Sequence, residues 1–162
     1  MKSTALNYIR HLFSIILASV ALIASAQTVF NNYGETPGVA IDGYDTVAFF
    51  SNKKATKGSA SIAHDWSNAK WYFTSEANRA AFIAEPEKFA PQYGGYCALN
   101  VAYGQLSKKV VSGDFEVYKD KLYLFGAASG SMTPKTNWWQ SGPYKNIRDA
   151  DKEWVKLRKE FE

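Results

Sequence analysis

The sequence predicts a small α+β domain with a mainly antiparallel sheet, a capped central helix and an amphipathic C-terminal helix. Short β-prone runs such as 70–73 are bounded by turn residues, which is typical of antiparallel strands. A hydroxyl at Thr74 or Ser75 precedes a run of helix-forming residues and can cap a helix there. In the last segment apolar residues recur at three- and four-residue steps, which indicates a one-sided helix.

The first 26 residues have the three parts of a secretory signal peptide. Lys2 and Arg10 lie in a basic start, residues 12–23 form an apolar run, and Ala24-Ser25-Ala26 supplies small residues for cleavage. The apolar run is too short to span a bilayer as a mature helix. We therefore expect cleavage before Gln27 and a periplasmic or secreted chain, the alternative being an uncleaved N-terminal anchor.

The chain that cleavage would leave is long enough for one domain with a hydrophobic core and too short for two. We expect residues 27–38 to form an N-terminal tail and residues 39–127 to form the main domain. Residues 128–162 would then form a loop and a helix packed on that same domain. The net charge falls from +4 to +2 when Lys2 and Arg10 leave with the signal segment. No Lys/Arg run could follow a phosphate backbone, so a nucleic-acid partner is not expected.

Six short runs are predicted to be strands because they are apolar, β-prone and flanked by turn residues. They are 46–50, 61–66, 70–73, 110–111, 115–118 and 122–125. Ser67-Asn68 would join the second run to the third, and Lys119-Asp120-Lys121 would form the turn between the last two. Gly94-Gly95 is predicted to be a backbone hinge that permits positive φ. Residues 127–136 are predicted to be a loop.

The central helix is predicted to run from about Ser75 to Ala84, because a hydroxyl can cap it and Glu76 favours its positive end. Pro86 would then open a short helical turn that ends before Pro91. The C-terminal helix is predicted from its apolar stripe, which consists of Ile147, Ala150, Trp154, Leu157 and Phe161. We expect this stripe to pack on the chain's own domain, the alternative being a partner or a membrane surface.

Three motifs in the middle of the chain carry a family resemblance. They are GYDTVAFF at 43–50, WYFTSE at 71–76 and PEKFAPQYGGYCA at 86–98, and the last is the most specific. Together, with a fainter match that continues to Trp154, they resemble the YHS domain family in its exported single-domain branch. The resemblance implies a small α+β module. Members of the wider family, some fused to copper-transporting ATPases or multicomponent monooxygenases, are regarded as metal-binding.

The chain departs from the family's metal motif at three positions. Where that motif has cysteines, this sequence has Ala48, Thr74 and Asn78. A thiolate site for a soft metal needs those sulfurs, so metal binding through that motif does not carry over. The resemblance leaves the scaffold and one different cysteine, Cys97.

Cys97 and His64 are the candidate metal ligands. Cys97 is the only cysteine, and His64 is the only histidine outside the predicted signal segment. A thiolate and an imidazole together could bind a transition metal such as copper or zinc, or activate the sulfur. Either residue could instead be structural, the thiol as a buried small hydrophobe and the imidazole as a backbone hydrogen-bonding group. Two such ligands are too few for a closed zinc site, so only an open or shared site would fit.

The remaining candidates have simpler structural explanations. Asp42 and Asp45 could form an acidic ligand pair, although Asp beside a glycine turn more often bonds its own backbone. Glu85 and Glu87 lie at the start of a helical turn, where negative charge is favourable. Trp138-Trp139 could be an exposed recognition patch, although burial is the commoner outcome for such residues.

Two function hypotheses stand nearly level. The first is an exported module that handles a metal ion or metal-bearing cofactor through Cys97 with His64, and it requires the two residues to be close at a wet, concave site. The second is a metal-free domain that binds an unknown protein or small molecule. It requires a buried Cys97 and an exposed aromatic groove, for which Trp138-Trp139 is the candidate. A third, a redox sensor, requires an accessible thiol and a partner thiol in another chain.

No enzyme class is indicated by the sequence. It contains no Gly-rich phosphate loop, no Gly-x-Ser-x-Gly elbow, no Cys-x-x-Cys and no His-Glu-x-x-His. With a single histidine outside the predicted signal segment, the chain also has few groups for acid–base chemistry at neutral pH. We therefore expect a binding protein more than a catalyst.

Overall fold

The computed structural model describes residues 30–31, 35–107, 114–127 and 132–161. The predicted signal peptide at 1–26 and the predicted strand at 110–111 lie outside these residues and stay predictions. Within the described part of the chain, no helix combines the length and the apolar character needed to cross a bilayer.

The predicted α+β class is confirmed, since the described residues form six α-helices and four strands. In chain order these are α1 (Thr46–Ser51), β1 (Ser59–Trp66), β2 (Ala69–Phe73), α2 (Glu76–Ala84), α3 (Pro86–Phe89), α4 (Ala98–Ala102), β3 (Phe115–Tyr118), β4 (Lys121–Leu124), α5 (Pro134–Gln140) and α6 (Pro143–Leu157). Short 3₁₀ segments lie at Ala40–Gly43, Gln92–Gly95 and Arg158–Phe161.

The described strands pair as two separate antiparallel hairpins and not as one sheet. β1 pairs with β2, and β3 pairs with β4. Each hairpin turns through two residues in the left-handed region, Ser67-Asn68 in the first and Lys119-Asp120 in the second. Such turns match the natural twist of paired strands, which explains why both predicted hairpin connections are confirmed.

Residues 46–50 were predicted to be a strand, and this prediction is wrong because they form α1. Asp45 caps this helix: its Oδ1 accepts hydrogen bonds from the N–H groups of Val47 (2.9 Å) and Ala48 (3.2 Å). The cap satisfies donors that the first turn of a helix leaves without partners. Strand propensity reflects packing context more than backbone preference, and here the capped helix buries the same apolar side chains.

The predicted loop at 127–136 extends too far, because α5 already begins at Pro134. The Thr133 hydroxyl accepts a hydrogen bond from the Thr136 N–H at 3.1 Å, and Pro134 occupies the first helical position. Both are local signals of a helix start. The predicted central helix is confirmed as α2, and its Ser75 cap accepts the Asn78 N–H at 3.1 Å.

The buried residues form two hydrophobic clusters, which we call the first core and the second core. The first core contains Phe30, Ala40, Ile41, Val47, Phe49, Ala69, Trp71, Phe73, Phe82, Ala90, Leu122 and Leu124. The second core contains Tyr93, Tyr96, Cys97, Ala98, Leu99, Val101, Tyr123, Phe125, Trp138, Ala150 and Leu157. Ala150 and Leu157 belong to α6, so the apolar stripe of the C-terminal helix contributes to the second core.

Strand β4 and the residue after it contribute to both cores. Leu122 and Leu124 belong to the first core, whereas Tyr123 and Phe125 belong to the second. Successive side chains of a strand point to opposite faces, so this segment lies between the two cores. All four residues are at most 3% exposed.

Candidate functional site

The buried carboxylate of Asp45 accepts five hydrogen bonds. Its Oδ1 caps α1, as described above. Its Oδ2 accepts the Thr74 N–H at 2.8 Å, the Thr74 hydroxyl at 2.6 Å and the Asn78 side-chain amide at 2.7 Å. Asp45 is 0% exposed, and a carboxylate is stable at such a depth only when it is bonded in this way. Asp45 therefore joins α1 to the start of α2.

Three residues stand where the family motif has its metal-binding cysteines, and all three donate hydrogen bonds to this carboxylate. Ala48 donates its N–H to Oδ1, while Thr74 and Asn78 donate to Oδ2. The side chains present are a methyl group, a hydroxyl and an amide, and none of them is a ligand for a soft metal. The hydroxyl and the amide are also already committed to a protein acceptor. These residues do not fit a thiolate-type metal site.

Cys97 lies within the second core, immediately before α4. It is 3% exposed, and its carbonyl accepts the Val101 N–H at 3.0 Å. The same core contains the aromatic side chains of Tyr93, Tyr96 and Trp138. A thiol in such surroundings packs as a small hydrophobe, whereas reactive thiolates need a partly exposed and electropositive setting.

His64 lies on β1, beside the first core. It is opposite Trp71 in the hairpin, and its ring centroid is 6.4 Å from that of Phe82 in an edge-on arrangement. The structure therefore associates His64 and Cys97 with different cores. Among the described residues, no group of three or more His, Cys, Asp or Glu side chains could hold a metal ion.

Neither of the other predicted sites forms as an exposed feature. Trp138 is 2% exposed and packs against Tyr123 and Phe125, while Trp139 lies edge-on to Tyr118 at 5.3 Å. The aromatic groove expected at this pair is therefore not found. Asp42 does not pair with Asp45 as a ligand, because its carboxylate forms an ion pair with Lys57 at 2.7 Å.

A cleft of about 260 Å³ lies between residues of the two cores, and we call it the aromatic cleft. Its lining includes four aromatic residues and two acidic ones, which are Phe30, Trp66, Tyr93, Trp154, Glu87 and Asp151. Phe30 and Trp66 pack in or against the first core, with ring centroids 5.1 Å apart. Tyr93 and Trp154 pack in or against the second core, with ring centroids 6.3 Å apart. None of these residues was a candidate from the sequence except Glu87, which was interpreted as a helix-start charge.

Tyr93 is held in the aromatic cleft by an unusual backbone. It has φ 54° and ψ 38°, and Gly94 and Gly95 follow with φ 61° and 79°. This left-handed region is unfavourable for a residue with a Cβ, and such strain tends to occur where a side chain must be placed for function. The Tyr93 hydroxyl donates to Asp151 Oδ1 at 2.9 Å. The positive φ predicted for Gly94-Gly95 is confirmed.

Glycine is required at position 95 on steric grounds as well. A Cβ there would lie 2.6 Å from Cγ2 of Ile41, which is closer than real Cβ contacts allow. The polypeptide therefore passes close to the first core at the point where it presents Tyr93 to the aromatic cleft.

Burial raises the pKa of Tyr93 far above the ordinary tyrosine value, and the Asp151 carboxylate adds to this shift. In the unfolded chain the phenol ionises near pH 10, so the unfolded state loses a proton that the folded state keeps. Stability is then fully present below about pH 10 and falls as the pH rises above it, by about 1.4 kcal/mol per pH unit. We expect the free energy of unfolding of Tyr93→Phe to fall less steeply with pH than that of the parent. The difference in slope should be about 1.4 kcal/mol per pH unit, measured by urea unfolding between about pH 10 and 11.5.

The matched control for this pH series is Tyr103→Phe, since Tyr103 is 60% exposed. It should keep the slope of the parent protein. Identical slopes for the parent and for Tyr93→Phe would contradict the expectation.

The family suggested by the sequence motifs stays a resemblance. In comparisons with known proteins, no family model matches the chain, and no curated protein or solved structure matches it significantly.

Proposed function

We propose that this chain is an exported binding module with a YHS-like scaffold that works without a metal ion and takes a small ligand in the aromatic cleft. The observation that carries the proposal is the set of hydrogen bonds around Asp45. Thr74 and Asn78 stand where the resemblance leads one to expect thiolates, and both donate to this carboxylate. A network of this kind stabilises the scaffold and leaves no soft ligand at that position.

The setting of Cys97 supports the same proposal. A thiol that is 3% exposed among aromatic side chains is poorly placed to receive a metal ion or to meet a partner thiol. His64, the other candidate ligand, packs toward Phe82 of the first core. No contact among the described residues therefore supports the metal-handling or the redox hypothesis.

The aromatic cleft supplies what the proposal needs in place of a metal site. It is concave, and its walls combine large apolar rings with a few polar groups, which is the usual composition of small-ligand sites. Its walls come from both cores, so the rigid packing of each core fixes one side of the cleft.

Metal content tests the proposal directly. The chain would be purified after export under reducing, chelator-free conditions and then titrated with Cu(I), Zn(II) and haem, with Cys97→Ala treated in parallel. We expect no stoichiometric metal and equally weak titrations for the two proteins, because Cys97 is buried. Stoichiometric binding by the parent that is lost in Cys97→Ala would contradict the proposal and support the metal hypothesis.

A further inference from the structure

We infer that the aromatic cleft binds a small organic cation, a compact quaternary or alkylated ammonium group. The inference rests on the proposed function and names the ligand class for that site. It follows from three properties of the lining, which are its aromatic rings, its charge and its size.

The aromatic rings provide the first argument. The face of an aromatic ring carries negative electrostatic potential and attracts a cation that lies within about 6 Å of its centroid. Four such rings line the aromatic cleft, as two neighbouring pairs. The rings of Trp66 and Trp154 are partly exposed, whereas Phe30 and Tyr93, at 3% and 5% exposure, are fixed by the cores and offer a ligand only a small part of their surface. A preorganised set of rings suits an alkylated ammonium ion, whose apolar surface costs little to remove from water.

The charge of the lining provides the second argument. Glu87 and Asp151 line the aromatic cleft and no lysine or arginine does, so the charged side chains of its lining are both negative. Neither carboxylate takes part in an ion pair among the described residues. The hydrogen bond from the Tyr93 hydroxyl orients Asp151 at the cleft. Two larger clefts among the described residues contain lysines, Lys70 in one and Lys53, Lys119 and Lys135 in the other.

The size of the aromatic cleft provides the third argument. At about 260 Å³ it lies just below the range of roughly 300–1,000 Å³ that is usual for drug-sized ligands. A compact headgroup fits such a volume, whereas a folded peptide segment does not. Aromatic walls, negative charge and small volume together favour a small ammonium ion over an anion or a protein segment.

Choline and its neutral isostere 3,3-dimethyl-1-butanol test the charge requirement. The two molecules have nearly the same shape, but a carbon atom replaces the ammonium nitrogen in the alcohol. Binding would be measured by calorimetry and by fluorescence, since Trp66 and Trp154 line the aromatic cleft. We expect choline to bind about tenfold more tightly than the alcohol.

A pair of double variants tests the residues. In Glu87→Gln with Asp151→Asn, both cleft charges are removed, and the amide at position 151 can still accept the Tyr93 hydroxyl. The matched control is Glu85→Gln with Asp149→Asn, which removes two charges from neighbouring positions that instead pair with Lys88 and Lys145. We expect the cleft variant to bind choline about tenfold more weakly and the control to bind it like the parent. Urea unfolding of each variant verifies that the fold is retained.

Three results would overturn the inference. One is equal affinity for choline and the alcohol, another is an equal loss in the two double variants, and the third is no saturable binding of choline by the folded parent. Each of these leaves the metal-free proposal intact, because that proposal is decided by metal content and by Cys97→Ala. Conversely, stoichiometric metal binding would contradict the proposed function even where choline binds.

Discussion

Replacing Asp45 with alanine should lower the free energy of unfolding by about 4 kcal/mol. The substitution leaves three backbone N–H groups, the Thr74 hydroxyl and the Asn78 amide without their acceptor. Several of these donors are buried or partly buried, so water replaces the carboxylate poorly. The same change removes the cap of α1 and the link from that helix to α2. Urea unfolding followed by circular dichroism measures the loss.

The control for Asp45→Ala is Asp65→Ala. Asp65 is also an aspartate, but its side chain is 76% exposed and forms a single ion pair with Lys70. Exposed pairs of this kind contribute little to stability, so the control should unfold almost like the parent. If Asp45→Ala lost no more stability than Asp65→Ala, the network would not hold the scaffold, and the main support for the proposed function would be gone.

Replacing Phe82 with alanine should cost a similar amount, about 4 kcal/mol, through a different mechanism. Phe82 is 0% exposed, and its ring lies 4.9 Å from Trp71, 5.2 Å from Phe73 and 5.5 Å from Trp66, measured between centroids. Truncation would remove the apolar contacts of the ring and leave a cavity among large, rigid neighbours that cannot close it. Urea unfolding gives the stability, and near-ultraviolet circular dichroism reports the loosened tryptophans.

Ile83→Ala is the matched control for Phe82→Ala, since it truncates the next residue of the same helix. Ile83 is 49% exposed, so its truncation should cost less than about 1 kcal/mol. Equal losses for the two variants would show that the packing of Phe82 in the first core does not determine the effect, since alanine favours the helix at both positions.

The elements that could be predicted from the sequence are those with a local cause. The cap at Ser75, the two-residue turns and the apolar stripe of α6 each depend on residues only a few positions apart. The strand predicted at 46–50 is wrong, although the sequence contains a signal for the helix that forms instead, the capping aspartate directly before it. The β-prone composition of this run predicts a strand, but the cap and long-range packing determine that it forms a helix.

The candidate site was less predictable because its parts are distant in the sequence. Phe30, Trp66, Tyr93 and Trp154 come from four segments, and no spacing of residues relates them. Cys97 and His64 are candidates because each residue type occurs only once outside the predicted signal segment, but this says nothing about the distance between them in the fold. The one local signal of the aromatic cleft is Gly94-Gly95, which predicts positive φ at this point without a role for the neighbouring Tyr93.

Because β4 lies between the two cores, the number of residues in the β3–β4 hairpin cannot change without affecting both. A shift of the β3–β4 pairing by one residue would turn Tyr123 and Phe125 toward the first core, and Leu122 and Leu124 toward the second. Each core would then receive side chains of the wrong size, so both would be lost together. Evolution can therefore exchange residue types within this hairpin more readily than it can insert or delete a single residue.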